Sequence, residues 1–263
     1  MKHRIWLTLI AIAAFGATTA PAAEVTVLAA GGIQVALERM APDFERTTGY
    51  KIKAVFGPGG ATKARIIRGE PFDVTIVQSP YTEIIASGNI IASSETPLAT
   101  VAIGLAVLRG APKPDISTRE AVKKTLLTAR LISYPDPAAG ADAGISVAET
   151  LQRLGIAEQV APKVRFGELK LRSMTLVAKG DVDLGMTYVS EIGDPGVELV
   201  GSLPSDISTP TVLVAFVSSH TQEMVAAQAL MRYMAAPAAE PFYRSSRLLP
   251  YARESTSSGP TSQ

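Results

Sequence analysis

The chain repeatedly alternates an apolar strand, a glycine-rich turn and an amphipathic helix, and this order restricts the fold it can adopt. Residues 25–30 are apolar enough for a buried strand, and apolar side chains recur at helical spacing after Gly31 and Gly32. The same order returns in residues 51–68 and in residues 130–154. Strands that alternate with helices are typical of parallel sheets covered by helices. We therefore predict an α/β fold with mainly parallel sheets flanked by helices.

Charge and composition exclude several classes of protein. The 263 residues contain 25 lysines and arginines against 24 aspartates and glutamates, whereas non-specific nucleic-acid binding needs a basic surplus. Hydrophobic residues make up 47% of the chain, which is too much for a disordered protein. Because there is no cysteine, disulfides, thiol catalysis and zinc–thiolate sites are excluded. We predict no nucleic-acid partner, no metal and no cofactor.

The N-terminus has the pattern of a secretory signal peptide. A basic head at residues 2–4 precedes an apolar run at residues 5–15, and Ala20-Pro21-Ala22 fits a cleavage site for signal peptidase. A membrane anchor is the alternative, but the apolar run is too short to span about 30 Å of hydrocarbon. We predict that residues 1–22 are removed near Ala22. The exported chain then keeps a single histidine, His220, which excludes sites that need paired histidines.

Small residues dominate three of the turns that lead into helices. They are Gly31-Gly32, Gly59-Gly60 and residues 140–144. Such turns expose the first N–H groups of a helix at the positive end of its dipole, which attracts anions. Because glycine has no side chain, a ligand can approach the backbone of these turns closely. The turns predict a site for a small anion; the alternative is that these glycines serve only packing and turn geometry.

Five stretches around these turns resemble the periplasmic molybdate-binding proteins and their relatives, which have the type 2 periplasmic binding fold. The stretches are residues 25–33, 56–65, 69–74, 135–140 and 183–188. The resemblance implies two α/β lobes joined by crossing strands, with an anion held in the cleft between them and closure by a hinge motion. It also implies an ABC-type permease as partner, a periplasmic location and a monomer.

On this resemblance the chain divides into four parts. Residues 1–22 form the signal peptide, residues 23–101 and 203–252 form lobe 1, residues 102–202 form lobe 2, and residues 253–263 form a disordered tail. We place the hinge near Thr100 and Ser202.

The resemblance also locates the family's oxyanion ligands on this sequence. Its two serines fall at Gly32 and near Gly59, its main-chain contacts near Ala143 and Lys170, and its tyrosine at Tyr188. Because both serine hydroxyls are missing, we expect a larger cavity and a ligand other than molybdate.

Cationic side chains near the expected turns point to a carboxylate ligand. Lys63, Lys170 and Arg172 lie in or near these turns, and arginine in particular grips a carboxylate through two hydrogen bonds. The alternative for Lys63 and Arg172 is a solvated position on a helix surface. The predicted ligand-binding residues are Gly31, Gly32, Gly59, Gly60, Thr62, Lys63, Ala143, Gly144, Lys170, Arg172 and Tyr188.

Two functions remain open at this point. The first is a solute-binding protein that captures a small anion, a molybdate-type oxyanion or rather a small carboxylate, for an ABC-type transporter. The second is a cofactor-free isomerase of a tricarboxylate, because residues 114–118, 124–127, 154–159 and 190–192 look more like a branch of the family that includes aconitate isomerase. That reaction needs one positioned base. Lys63, Tyr188 or Glu191 is the candidate base.

Overall fold

Two sheets, each flanked by helices, make up the part of the chain that the computed structural model describes, residues 23–167 and 173–251. The α/β fold that the alternating pattern predicts is confirmed. The signal peptide predicted for residues 1–22, the tail predicted for residues 253–263, and Lys170 and Arg172 lie outside the described residues.

Eleven strands and nine α-helices are found in the described residues. The strands are β1 (Glu24–Ala30), β2 (Lys51–Gly57), β3 (Val74–Gln78), β4 (Thr96–Val101), β5 (Ile103–Leu108), β6 (Ile132–Pro135), β7 (Val164–Gly167), β8 (Leu184–Tyr188), β9 (Val197–Ser202), β10 (Thr211–Val217) and β11 (Leu249–Pro250). The helices are α1 (Gln34–Thr48), α2 (Gly59–Ile67), α3 (Thr82–Ala86), α4 (Arg119–Thr128), α5 (Asp142–Arg153), α6 (Ala157–Val160), α7 (Ser173–Ala178), α8 (Met224–Met234) and α9 (Glu240–Ser245).

Both sheets are mixed, and the prediction of mainly parallel sheets is wrong in this respect. The strands are parallel only where the chain alternates strand and helix. The first sheet has six strands in the order β11-β4-β10-β3-β1-β2, and β1 runs parallel to both β2 and β3. The second sheet has five strands in the order β7-β6-β8-β5-β9, and β6 runs parallel to both β7 and β8. Strands β10 and β5 are antiparallel to their neighbours. We call the first sheet with its flanking helices lobe 1 and the second sheet with its flanking helices lobe 2.

The amphipathic pattern of α1 explains why this segment is a helix that covers the first sheet. Its buried residues Ala36, Leu37, Met40 and Phe44 recur at helical spacing on one face. Gly49 ends the helix with a φ of 78°, and its N–H donates to the carbonyl of Glu45 at 3.0 Å. Gly49 is therefore a left-handed C-cap, a conformation that glycine adopts without strain.

The apolar run from Thr100 to Leu108, which reads as one strand in the sequence, belongs to both sheets. Val101 pairs with Thr211 in the first sheet, whereas Ile103 pairs with Tyr188 in the second. The prediction of a single strand is wrong here, because apolar content cannot reveal which sheet a residue joins. The chain therefore crosses between the lobes at Ala102, and it returns through residues 203–210.

No helix in residues 23–167 and 173–251 combines the length and the apolar content that crossing a bilayer requires.

Candidate functional site

Two glycine-containing turns of lobe 1 lie side by side at the carboxyl ends of parallel strands. The first corner, residues Gly31–Ile33, forms one 3-10 turn between β1 and α1. The second corner, residues 58–60, joins β2 to α2. Ala30 and Gly57, which precede the two corners, are paired in the sheet. This edge of an open α/β sheet is where ligands generally bind.

The amide of Gln78 lies against the first corner. Gln78 ends β3 and is 1% exposed. A β-carbon on Gly32 would lie 3.0 Å from its Nε2 and 3.6 Å from Cδ2 of Tyr188, so these groups take up the space that we expected to be empty. The Oε1 atom of Gln78 is buried and has no hydrogen-bond partner in the described structure. The amide thus places its nitrogen beside Gly32, while its oxygen stays buried and unpaired.

Lobe 2 reaches the first corner through the turn that follows β8. Ser190 donates a hydrogen bond to the carbonyl of Gly32 at 2.9 Å. A β-carbon on Gly31 would lie 3.0 Å from Oε1 of Glu191, whose Oε2 accepts a hydrogen bond from Thr187 at 2.5 Å. A carboxylate of lobe 2 therefore faces this corner.

A second carboxylate, that of Asp142, is packed against the second corner. A β-carbon on Gly59 would lie only 1.6 Å from Oδ2 of Asp142, so that only glycine fits at this position. The N–H of Gly60 donates to the carbonyl of Gly140 at 2.8 Å. The backbones of the two lobes thus meet at this corner. The expectation of a larger cavity here is wrong, because the Asp142 side chain takes the space that the missing serine leaves.

Lys63, one turn into α2, forms an ion pair with Asp142. The distance from Nζ to Oδ1 is 3.3 Å, and the exposed fractions of the two side chains are 15% and 9%. Burial raises the pKa of Asp142, while the charge of Lys63 opposes that increase. Oδ2 of Asp142 is buried without a hydrogen-bond partner among the described residues. Lys63 therefore faces lobe 2, and the solvated helix position is excluded for it.

Tyr188 lies between the lobes at the end of β8. Its hydroxyl donates to Oγ1 of Thr211, at the start of β10 in lobe 1, at 3.5 Å. The pKa of Tyr188 is raised to about 12, chiefly by burial, and the negative charges of Asp142 and Glu191 also raise it. The hydroxyl is therefore protonated at neutral pH, and its proton is directed at Thr211 of lobe 1.

Three other predicted residues contact the chain's own backbone. The hydroxyl of Thr62 is directed at the carbonyl of Ala29, at 3.5 Å, so this side chain faces β1. Ala143 is buried in the first turn of α5. A β-carbon on Gly144 would lie 2.0 Å from the carbonyl oxygen of Pro135, which makes this glycine a requirement of packing.

Reasoning from the sequence missed Gln78 and Asp142. Gln78 is a polar residue that ends an otherwise apolar strand, and this was a readable signal of a polar edge. Asp142 stands at the first position of α5, where an acidic residue is explained by the helix dipole alone. Its approach to Gly59 is a contact between lobes, which the spacing of residues along the chain does not encode.

Comparison with known proteins agrees with the two-lobed fold. A family model described as bacterial extracellular solute-binding protein matches residues 25–246. Aconitate isomerase from Pseudomonas sp. is 33% identical over 238 residues, which cover 88% of this chain and 89% of that protein. The molybdate-binding protein ModA of Azotobacter vinelandii is 30% identical over 229 residues, which cover 85% and 88%.

Solved structures show the same architecture. The periplasmic molybdate-binding protein of Azotobacter vinelandii matches with a TM-score of 0.72 at 21% identity, over 86% of this chain and 98% of that one. The sulfate-binding protein SubI of Mycobacterium tuberculosis matches with a TM-score of 0.71 at 13% identity, over 87% of each chain. With the family model spanning both lobes, the chain belongs to the bacterial extracellular solute-binding proteins.

Proposed function

We propose that this protein is a receptor that binds a small anion, a carboxylate, in the cleft between its lobes and delivers it to an ABC-type permease. The observation that carries the proposal is the pair of glycine corners at the carboxyl ends of parallel strands, with the ammonium group of Lys63 beside the second corner. Backbone amides and a cation together attract a negatively charged ligand. The proposed ligand residues are Gly31, Gly32, Gly59, Lys63 and Tyr188, joined by Gln78 and Asp142. The N–H of Gly60 is bonded to the carbonyl of Gly140 instead.

The side chains at the corners favour a carboxylate over molybdate. Both positions at which the resemblance expects a serine hydroxyl are glycines. The carboxylates of Asp142 and Glu191 face the corners, and they repel a compact, fully ionised oxyanion. A carboxylate ligand spreads its charge over a longer molecule. One end can then contact Lys63 while another part contacts the carboxylates of Asp142 and Glu191.

The same proposal includes export and opening of the cleft. The pattern of residues 1–22 supports cleavage near Ala22, and the periplasm is the proposed location. We place lobe 1 at residues 23–101 and 203–252 and lobe 2 at residues 102–202, because the chain crosses at Ala102 and residues 203–210. A single chain supplies both lobes, so a monomer suffices. Ligand entry requires the lobes to separate about these crossings.

The test is a binding screen by calorimetry on the exported chain. The panel contains molybdate, tungstate, sulfate, citrate and both aconitate isomers. A true ligand at about 100 times its dissociation constant adds about 2.7 kcal/mol to the free energy of unfolding. We expect the carboxylates to stabilise the protein and molybdate to have no effect. A panel in which no anion changes the stability would contradict the receptor function.

Lys63 offers a direct check on the site. Lys63→Met should weaken carboxylate binding by about tenfold or more, as expected for the loss of a charge-assisted hydrogen bond. Lys123 is an exposed lysine on α4 in lobe 2, and Lys123→Met is the matched control. Equal affinities for the two variants would remove Lys63 from the site.

A second candidate function is isomerisation of a tricarboxylate, and Asp142 favours it. In an allylic shift, a base takes a proton from one carbon, the double bond moves by one position, and the proton returns to the far carbon. No cofactor is needed. Asp142 is a buried carboxyl with a raised pKa and one unpartnered oxygen, as a base in the cleft requires. It fits this role better than Lys63, whose Nζ is engaged in the ion pair with Asp142, or Tyr188, whose pKa is about 12.

Proton NMR separates the two functions. The protein is incubated with cis-aconitate in deuterated buffer, and the trans isomer and deuterium incorporation are followed over time. If the wild type forms the trans isomer and Asp142→Asn does not, the isomerase function is supported. Stable cis-aconitate that still binds supports the receptor alone.

A further inference from the structure

We propose that the cleft selects hydroxycarboxylates, because a ligand that carries a hydroxyl group can satisfy buried acceptors at the corners. This inference rests on the proposed function and names its ligand class. It depends on Asp142 and Gln78, neither of which follows from the sequence resemblance.

The first acceptor is Oδ2 of Asp142 at the second corner. Asp142 is 8% exposed, its Oδ1 is paired with Lys63, and its Oδ2 is buried without a partner among the described residues. The oxygen points at the N-terminus of α2, against Gly59. A buried carboxylate oxygen without a donor is costly, so the site is completed by a ligand that donates to it.

The second acceptor is Oε1 of Gln78 at the first corner. Gln78 is 1% exposed, its Nε2 lies against Gly32, and its Oε1 is the unpartnered atom. Four buried side-chain atoms without a partner are found in residues 23–167 and 173–251. The other two are hydroxyl oxygens, of Ser133 and Ser246, which can both donate and accept. The two oxygens that can only accept thus belong to the two side chains packed against the corners, Gln78 against Gly32 and Asp142 against Gly59.

The charges around these acceptors define what kind of donor fits. Lys63 lies 3.3 Å from Oδ1 of Asp142, so an ammonium group placed at Oδ2 would come close to a like charge. A neutral hydroxyl donates without that repulsion. The carboxylate groups of the same ligand can meet Lys63 and the backbone amides of the corners. A hydroxycarboxylate supplies both kinds of group.

Matched ligands test this directly by isothermal titration calorimetry on the exported chain. Malate, succinate and aspartate share a four-carbon dicarboxylate frame and differ in a hydroxyl, a hydrogen and an ammonium group. Citrate and tricarballylate differ in one hydroxyl. We expect the hydroxylated member of each pair to bind about tenfold to hundredfold more tightly, the range for leaving one buried acceptor unpaired.

Two variants test whether Asp142 and Gln78 cause the preference for a hydroxyl group. Asp142→Asn and Gln78→Met keep similar side-chain volumes but remove an acceptor oxygen, and each should reduce the preference for the hydroxyl severalfold. Asp181→Asn, which changes an exposed carboxylate of lobe 2, is the matched control and should keep the preference. Because the readout is a ratio of two affinities measured on the same variant, a general loss of stability does not imitate it.

The outcomes separate this inference from the function it rests on. If succinate binds within about twofold of malate, and tricarballylate within about twofold of citrate, the cleft binds anions without reading a hydroxyl and the inference is wrong. Tighter binding of aspartate than of malate would equally overturn it, in favour of a cationic donor. If none of these anions binds, the receptor function itself fails.

Discussion

Oδ2 of Asp142, on lobe 2, lies 1.6 Å from the point at which a β-carbon on Gly59, on lobe 1, would stand. The two residues are 83 positions apart in the chain, and each is at the N-terminus of a helix. Their contact places a negative charge of the protein itself at the corner that the sequence predicts for an anion. Gly59 therefore allows a close approach, and the group that approaches in this structure is a side chain of lobe 2, as in the packing alternative for this glycine.

We predict that Gly59→Ala separates the lobes. The added methyl group overlaps the Asp142 carboxylate, and overpacking of this kind costs about 1–3 kcal/mol. Small-angle scattering should show a larger radius of gyration, and calorimetry a lower melting temperature. Gly193→Ala is the control, since a β-carbon there meets nothing within 4 Å.

A second substitution tests whether Asp142 is the residue that clashes with the methyl group in Gly59→Ala. Asp142→Ala in the Gly59→Ala background removes the overlapping group, and the radius of gyration should return toward the wild-type value. A radius that stays enlarged would contradict the assignment of the clash to Asp142.

Gly144→Ala should destabilise lobe 2 without acting through the ligand. Its β-carbon would lie 2.0 Å from the carbonyl oxygen of Pro135, which is backbone and cannot rotate away. We expect a loss of about 2 kcal/mol or more in the free energy of unfolding in urea, as for an overpacked core position. A variant as stable as the wild type would mean that the turn before α5 adjusts freely.

The pH dependence of stability should reveal Asp142. Its pKa is raised in the folded state from the ordinary value of 3.8. The stability it contributes is therefore fully present below that ordinary value and is lost as the pH rises through the raised pKa. The difference in melting temperature between Asp142→Asn and the wild type should therefore shift in favour of the variant as the pH increases from about 4 to about 7. Asp181→Asn should show no such trend, and a parallel course for both variants would contradict burial as the cause.

The start of α4 gives a local test of stability. Thr118 accepts a hydrogen bond from the N–H of Ala121 at 3.1 Å, whereas the hydroxyl of Ser117 donates to Asp115 at 2.7 Å. Thr118→Ala should cost about 1 kcal/mol in urea unfolding, the usual loss for an N-cap. Ser117→Ala, next to it in the chain, should cost clearly less. The opposite order would assign the cap to Ser117.

Local features of this fold could be predicted from the sequence because they depend on neighbouring residues. The face of α1 and the cap at Gly49 follow from the spacing of apolar residues and one glycine. The N-cap of α4 does not follow from the sequence alone, since Ser117 and Thr118 are adjacent and both carry a hydroxyl group. Only the observed bond to Ala121 decides between them.

The candidate site was harder to predict because it is assembled from distant segments. The glycine corners and Lys63 are readable from the sequence, as they follow the ends of strands. Asp142 and Gln78 are not, since their importance comes from what faces them across a sheet edge or between lobes. The division of the run from Thr100 to Leu108 has the same origin, because pairing with Thr211 or Tyr188 is a property of the tertiary structure.

The position of β10 has a consequence for the way the polypeptide matures. This strand lies between β3 and β4 in the first sheet, yet it is synthesised after every strand of the second sheet. Lobe 2 can be completed from one continuous stretch of chain, whereas lobe 1 stays unfinished until residues 211–217 have emerged. Until those residues are available, β3 and β4 lack the strand that lies between them, so the first sheet closes only after the whole of lobe 2 has been made.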